Sequence, residues 1–118
     1  MRTIYALTAS MTVALGLLHM ATTFSLSSTP GAKVWFFGAG IAIALAGVLN
    51  LLNRRYGQAA FGLRAACIGA NVLMLCFAAV AGRATGAAAA EQVVMLTLLL
   101  SSLVLSAMRS ASVGPDAP

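Results

Sequence analysis

Residues 4–25 read IYALTASMTVALGLLHMATTFS, and this stretch decides the fold. It contains no Asp, Glu, Lys or Arg, and it holds the only histidine of the chain, His19. At 1.5 Å per residue a helix of about 22 residues is roughly 33 Å long, enough to cross a hydrocarbon core of about 30 Å. Thr12, Gly16, His19 and Thr23 follow one another at steps of four, three and four, which is one stripe of a helix. In lipid such a stripe is buried against other helices, and the rest of the chain supplies three of them.

Ser25–Lys33 (SLSSTPGAK) has the Ser, Thr, Pro and Gly of a loop. A second apolar run, 34–52, opens on Trp35, Phe36 and Phe37, an aromatic cluster suited to the head-group level. Within it Gly40, Ala44 and Gly47 form a small-residue stripe that continues to Asn50, and small residues let helix backbones approach closely. Asn53–Gly57 (NRRYG) reads as a tight basic turn. The third run, 59–81, is interrupted by Arg64 and Asn71 with Cys67 between them. Arg83–Ala90 connects it to the fourth run, 91–108, which carries Glu91 in its first turn, where the helix dipole favours a carboxylate. The expected fold is an all-α membrane protein, with four transmembrane helices in an antiparallel up-down bundle. Residues 1–109 make one domain with spans 4–25, 34–52, 59–81 and 91–108, and 110–118 form a disordered C-terminal tail.

Composition agrees. Of 118 residues, 61% are hydrophobic and 8% charged, against about 25% charged in a soluble domain. Four spans leave only short connections, so there is no room for a separate catalytic or nucleic-acid-binding module. The formal net charge of +5 comes from basic residues at the ends of apolar runs, the placement of topology determinants and lipid contacts. Four spans put Arg2, Arg54, Arg55 and Arg109 on one side, with Arg64 snorkelling towards it, and Lys33 and Arg83 on the other. This predicts both termini in the cytoplasm. The first run exceeds the roughly 7–15 apolar residues of a signal peptide and reads as a retained span. Short loops and an Ala/Gly-rich composition suggest a bacterial inner membrane. Cys67 and Cys76, nine apart, face opposite sides of a helix and read as inert thiols.

The chemistry on offer is sparse. Depth along each span places His19 roughly 7 Å and Glu91 roughly 11 Å to the outer side, with Asn71 near the centre. His19, Thr23, Asn71 and Glu91 are the candidate polar pathway or ligand site, since a histidine and a carboxylate pass protons or bind cations. The plainer reading has Glu91 in water and His19 bonded to a neighbouring backbone or to Thr23. Gly16, Gly40, Ala44, Gly47, Asn50 and Arg64 are candidate packing residues. Arg64 and Asn50 both lie roughly 10 Å to the inner side, which makes the Asn50 oxygen a candidate acceptor for the guanidinium. A single histidine gives no metal or cofactor site within one chain, and catalysis usually needs two or more convergent reactive groups, for which only His19 and Glu91 qualify, so an enzyme is the least expected reading. A lipid or quinone held between helices would leave no motif. The expected function is a non-enzymatic accessory or scaffolding subunit packing through Gly/Ala faces. Its partners would be the lipid bilayer and either a homo-oligomer or a larger membrane complex. The alternative is a small oligomeric transporter or channel, proton-linked, using His19 and Glu91.

Overall fold

The computed structural model describes residues 1–112. Four helices follow one another: α1 (Arg2–Thr22), α2 (Pro30–Tyr56), α3 (Phe61–Thr85) and α4 (Ala89–Ala107). Short 3-10 turns follow α1 (Thr23–Ser25) and α4 (Arg109–Ala111), and there is no strand among the described residues. The helices form an all-α antiparallel bundle of 51 × 22 × 21 Å. Each is long and apolar enough to cross a membrane. The start of α1, the end of α4 and the link 57–60 share one end, here the termini end. Links 26–29 and 86–88 mark the opposite, loop end.

The helix boundaries differ from the apolar runs for identifiable reasons. Pro30 begins α2 instead of closing the preceding loop. Its missing N–H costs nothing in a first turn, and the Thr29 side chain accepts a hydrogen bond from the Ala32 N–H at 3.3 Å. The NRRYG segment is not a turn up to Tyr56. Arg54 and Arg55 sit in the last turn of α2, where cations suit the helix dipole, and the bend comes only at 57–60. α3 runs on to Thr85 and stops at Gly86, whose φ of +65° is the left-handed conformation that closes many helices. Part of the tail expected to be disordered is folded: residues 110 and 111 belong to the second 3-10 turn, and Ala111 and Ser112 are buried. The remaining tail, 113–118, lies outside the described residues.

Side chains are distributed as in a protein whose solvent is lipid. The buried polar residues include Thr8, Thr12, Asn50, Asn53, Asn71, Ser102 and Ser106. Leu7, Leu18, Leu45, Leu73, Val80 and Leu100 all face outward. In water this pattern would leave apolar surface exposed on every helix. In a bilayer it is the favourable arrangement, because polar groups must find partners inside the protein.

The bundle is two hairpins. The tightest helix pair is α1 on α2, followed by α3 on α4, and each helix pair between the hairpins is looser. α1 and α2 touch backbone to backbone. A Cβ added to Gly16 would lie 2.7 Å from the Gly40 carbonyl oxygen and 2.8 Å from the Ala44 Cα. One added to Gly47 would lie 2.7 Å from the Val13 nitrogen and 2.9 Å from the Ala9 oxygen. Gly16, Gly40, Ala44 and Gly47 therefore lie together at this one interface. At the loop end, Gln92 of α4 lies over Gly82, and its Nε2 donates to the Ala78 carbonyl at 2.8 Å.

Gly47→Ala forces these backbones apart and is expected to destabilise the bundle by about 1–3 kcal/mol. Gly38→Ala, where an added Cβ meets nothing within 4 Å, serves as the control and is expected to stay within about 0.5 kcal/mol of the parent. Reversible unfolding in mixed detergent micelles reads both, and equal effects would refute backbone contact at Gly47.

Candidate functional site

The polar side chains of all four helices converge at one place in the half of the bundle nearer the termini end. The spacing explains how. Asn50 and Asn53 are three apart on α2, Cys67 and Asn71 four apart on α3, and Ser102 and Ser106 four apart on α4, so each pair shares a helix face. Tyr5 joins them from α1. Tyr5, Asn50, Asn53, Cys67, Asn71 and Ser106 are all buried to within 1% of completely.

At the centre is a reciprocal amide pair. Asn50 Nδ2 donates to Asn71 Oδ1 at 2.8 Å, and Asn71 Nδ2 donates back to Asn50 Oδ1 at 3.0 Å. Asn50 spends its second amide hydrogen on the Ala46 carbonyl at 2.8 Å. Asn71 directs its second to Ser106 Oγ at 3.2 Å. The Asn50 oxygen also accepts from the Tyr5 hydroxyl at 2.9 Å and from the Cys67 thiol at 3.4 Å. Asn53 Nδ2 donates to the Tyr5 oxygen at 2.9 Å and to the Ser106 carbonyl at 3.3 Å. Two buried atoms in this region have no partner among the described residues: Asn53 Oδ1 and Ser102 Oγ.

A second set of donors closes the end of α4, whose last carbonyls have no helical partner. Arg64 Nη2 donates to the Ala107 carbonyl. Gln58 Nε2 donates to the carbonyls of Arg109 at 2.8 Å and Ser112 at 3.0 Å. Arg64 therefore does not use the Asn50 oxygen expected from their similar depths. Its acceptor is the exposed end of the neighbouring helix, and Asn50 is already saturated.

The expected pathway residues do not form one cluster. Asn71 belongs to the amide pair. His19 lies near the loop end, half-buried, with its ring stacked on Phe36 at 3.6 Å between centroids and 18° between planes. Thr23 is buried, but its hydroxyl donates to the His19 carbonyl at 3.1 Å, not to the ring. Thr22 shares that carbonyl at 3.0 Å. Glu91 is exposed in the first turn of α4, and no hydrogen bond or ion pair joins it to His19 among the described residues. No three His, Cys, Asp or Glu side chains converge on a metal-sized site among those residues. The central cluster is neutral throughout. It offers directional hydrogen bonds, without a nucleophile paired to a base.

Tyr5, Asn53, Cys67 and Ser106 were not candidates from the sequence. The usable signal was the recurrence of polar pairs three or four apart on three successive spans. Breaking half of the amide pair strands a buried amide. Asn50→Leu and Asn71→Leu are each expected to cost about 1–3 kcal/mol, and the double substitution clearly less than their sum. A double-mutant cycle in micelles checks this, and strict additivity would rule out the pairing. Set against protein-family models, curated proteins and solved structures, the chain matches none, so geometry alone guides the functional reading.

Proposed function

We propose that this chain is a non-enzymatic accessory or scaffolding protein of a bacterial inner membrane, with both termini cytoplasmic, that engages a second hydrophobic segment within the bilayer. One observation carries the reading. Between α2 and α3, towards the loop end, lies an open groove of about 500 Å³ lined by Val34, Trp35, Gly38, Ala39, Ala42, Met74 and Phe77. Its lining is apolar throughout, and three of its residues are small.

The Gly/Ala face that first suggested such a role is a different one. Gly40 and Gly47 are buried against α1, which also backs onto Ala44, so this stripe has little surface left for a partner. The free glycines include Gly31 and Gly38 on α2 and Gly62 and Gly69 on α3, where an added Cβ would meet nothing within 4 Å. α3 is also the least buried helix, with 11% of its apolar window enclosed against 22–28% for the others. Small residues with open space above them suit the close approach of another helix. The placement of charge supports the orientation: Arg2, Arg54, Arg55, Arg64 and Arg109 belong to the termini end, Lys33 and Arg83 to the loop end.

Less supports transport through His19 and Glu91, because His19 is engaged by Phe36 and the two side chains are not joined. In-cell photocrosslinking distinguishes the readings. A photoreactive side chain at Val34 or Phe77 is expected to give a protein adduct of discrete mass. The same group at Leu7 or Leu18, exposed on α1, is expected to give none. Absence of an adduct at the groove positions would count against a partner there.

A further inference from the structure

Residues 108–112 form a strap at the termini end of the bundle. α4 stops at Ala107, and Met108 takes an extended conformation (φ −84°, ψ +117°). The single 3-10 turn Arg109–Ala111 then brings Ala111 against Tyr5 and Leu105, where it is fully buried. Ser112 follows it into the interior. Little else holds this strap. The Ala111 N–H donates to the Met108 carbonyl at 3.1 Å and the Ser112 N–H to the Arg109 carbonyl at 3.2 Å, so both bonds stay within it. The Met108 N–H, where the chain leaves α4, donates to the Leu105 carbonyl. Its other hydrogen bonds to the bundle, among the described residues, come from one exposed side chain: Gln58 of the α2–α3 link, on the carbonyls of Arg109 and Ser112.

Behind the strap the interior is polar for some distance. Tyr5 is three residues from the start of α1 and Asn53 three from the end of α2, roughly 5 Å in at 1.5 Å per residue. Asn50 and Cys67 are each six residues from a helix end on this side, roughly 9 Å in. Ser102 lies one turn deeper than Ser106 on α4. Three buried oxygens along this line have no partner among the described residues: Ser112 Oγ in the strap, Asn53 Oδ1 at the outer level and Ser102 Oγ farther in. Asn53 Oδ1 points along α2 towards Gly57, and so towards the end that the strap closes.

We infer that 108–112 is a hinged plug over a polar shaft, and that it opens to admit water from the termini end as far as Cys67 while the four helices stay in place. An apolar interior would resist such opening, because its surface gains nothing from water. Here Ser112 Oγ and Asn53 Oδ1 each gain a hydrogen bond when water arrives, so opening relieves the desolvation that burial imposes on them. The latch is already at the surface, where water competes with the Gln58 amide for the same two carbonyls. The seal against Tyr5 is one alanine methyl, and a one-turn 3-10 element has few bonds of its own. A segment held this way opens more readily than the helices beneath it. The inference depends neither on a partner at α2/α3 nor on the orientation of the chain in a membrane.

Thiol chemistry reads the shaft. With Cys76→Ser as the parent, Cys67 is the one thiol of the chain, and it is fully buried. A small charged methanethiosulfonate, added to the protein in micelles, approaches it through water. The parent is expected to react about a hundredfold more slowly than free cysteine. Gln58→Ala removes the latch, and Ala111→Asp places against Tyr5 a carboxylate that cannot stay there; each is expected to react about tenfold faster than the parent. Gly40→Ala strains α1 against α2 nearer the loop end, far from the strap, and is expected to leave the rate unchanged. Hydrogen exchange gives a second reading in the parent: the amides of Ala111 and Ser112 are expected to exchange well before that of Leu105 in α4. The proposal is overturned if both strap variants react at the parent rate, if Gly40→Ala accelerates the reaction as much as they do, or if the strap amides exchange only together with the helix.

Discussion

Two asparagine side chains facing each other across a helix interface hold the rest of this molecule in register. An amide has one acceptor and two donor hydrogens, and in a bilayer none of these can be left to water. Asn50 and Asn71 satisfy each other first. The groups they leave over determine what must surround them: a hydroxyl from α1, a thiol from α3 and a serine from α4. A shift of one residue in any helix would separate a donor from its acceptor. Shape alone would not impose that discipline, since each helix pair between the two hairpins packs less closely than the pairs within them. Each such bond contributes only about 1 kcal/mol in a membrane. Their value lies in excluding alternative registers more than in the total energy.

The two hairpins solve the association problem differently. α1 and α2 approach through glycine and alanine, where dispersion between backbones substitutes for a hydrophobic drive that lipid removes. α3 and α4 have no comparable glycine seam and lean on Gln92 and on the central cluster. α4 is also the shortest helix, 19 residues against 27 for α2. Its final carbonyls are met by side chains of Asn53 and Arg64, and Gln58 holds the turn that follows. Arg64 thus does more than mark topology. It stands in for the water that would otherwise solvate the end of a short helix.

Legibility in the sequence follows from which coordinate each signal encodes. Long runs without charge encode crossing, so the four helices could be read from 4–25 and its three successors. Position along a run encodes depth, but only as well as the run's end is known. The midpoint of α2 is the same for 34–52 and for Pro30–Tyr56, so the depth of Asn50 is unaffected. α3, running Phe61–Thr85 instead of 59–81, has its midpoint three residues later, which brings Asn71 closer to the level of Asn50. Asn53 was mistaken for a turn residue because NRRY has the polarity of a loop, although its arginines suit a helix terminus equally well. Depth says nothing about rotation around the helix axis. His19 and Glu91 shared a level, yet His19 faces Phe36 and Glu91 faces outward. Tyr5 was overlooked for a related reason: among leucines and alanines a tyrosine passes as apolar, and only its hydroxyl gives it a role here.

The unequal union of the hairpins bears on how the chain is made. α1 and α2 are neighbours in sequence, and their interface is complete without anything downstream. A chain emerging from the ribosome amino-terminus first can therefore lock this pair while α3 is still being synthesised. The locked pair then displays Asn50 already oriented by Tyr5 and by the Ala46 carbonyl. α3 arrives to find a receptor fixed in place, and it docks by offering one amide at one height. Biogenesis becomes templated, the first half of the polypeptide acting as the chaperone of the second.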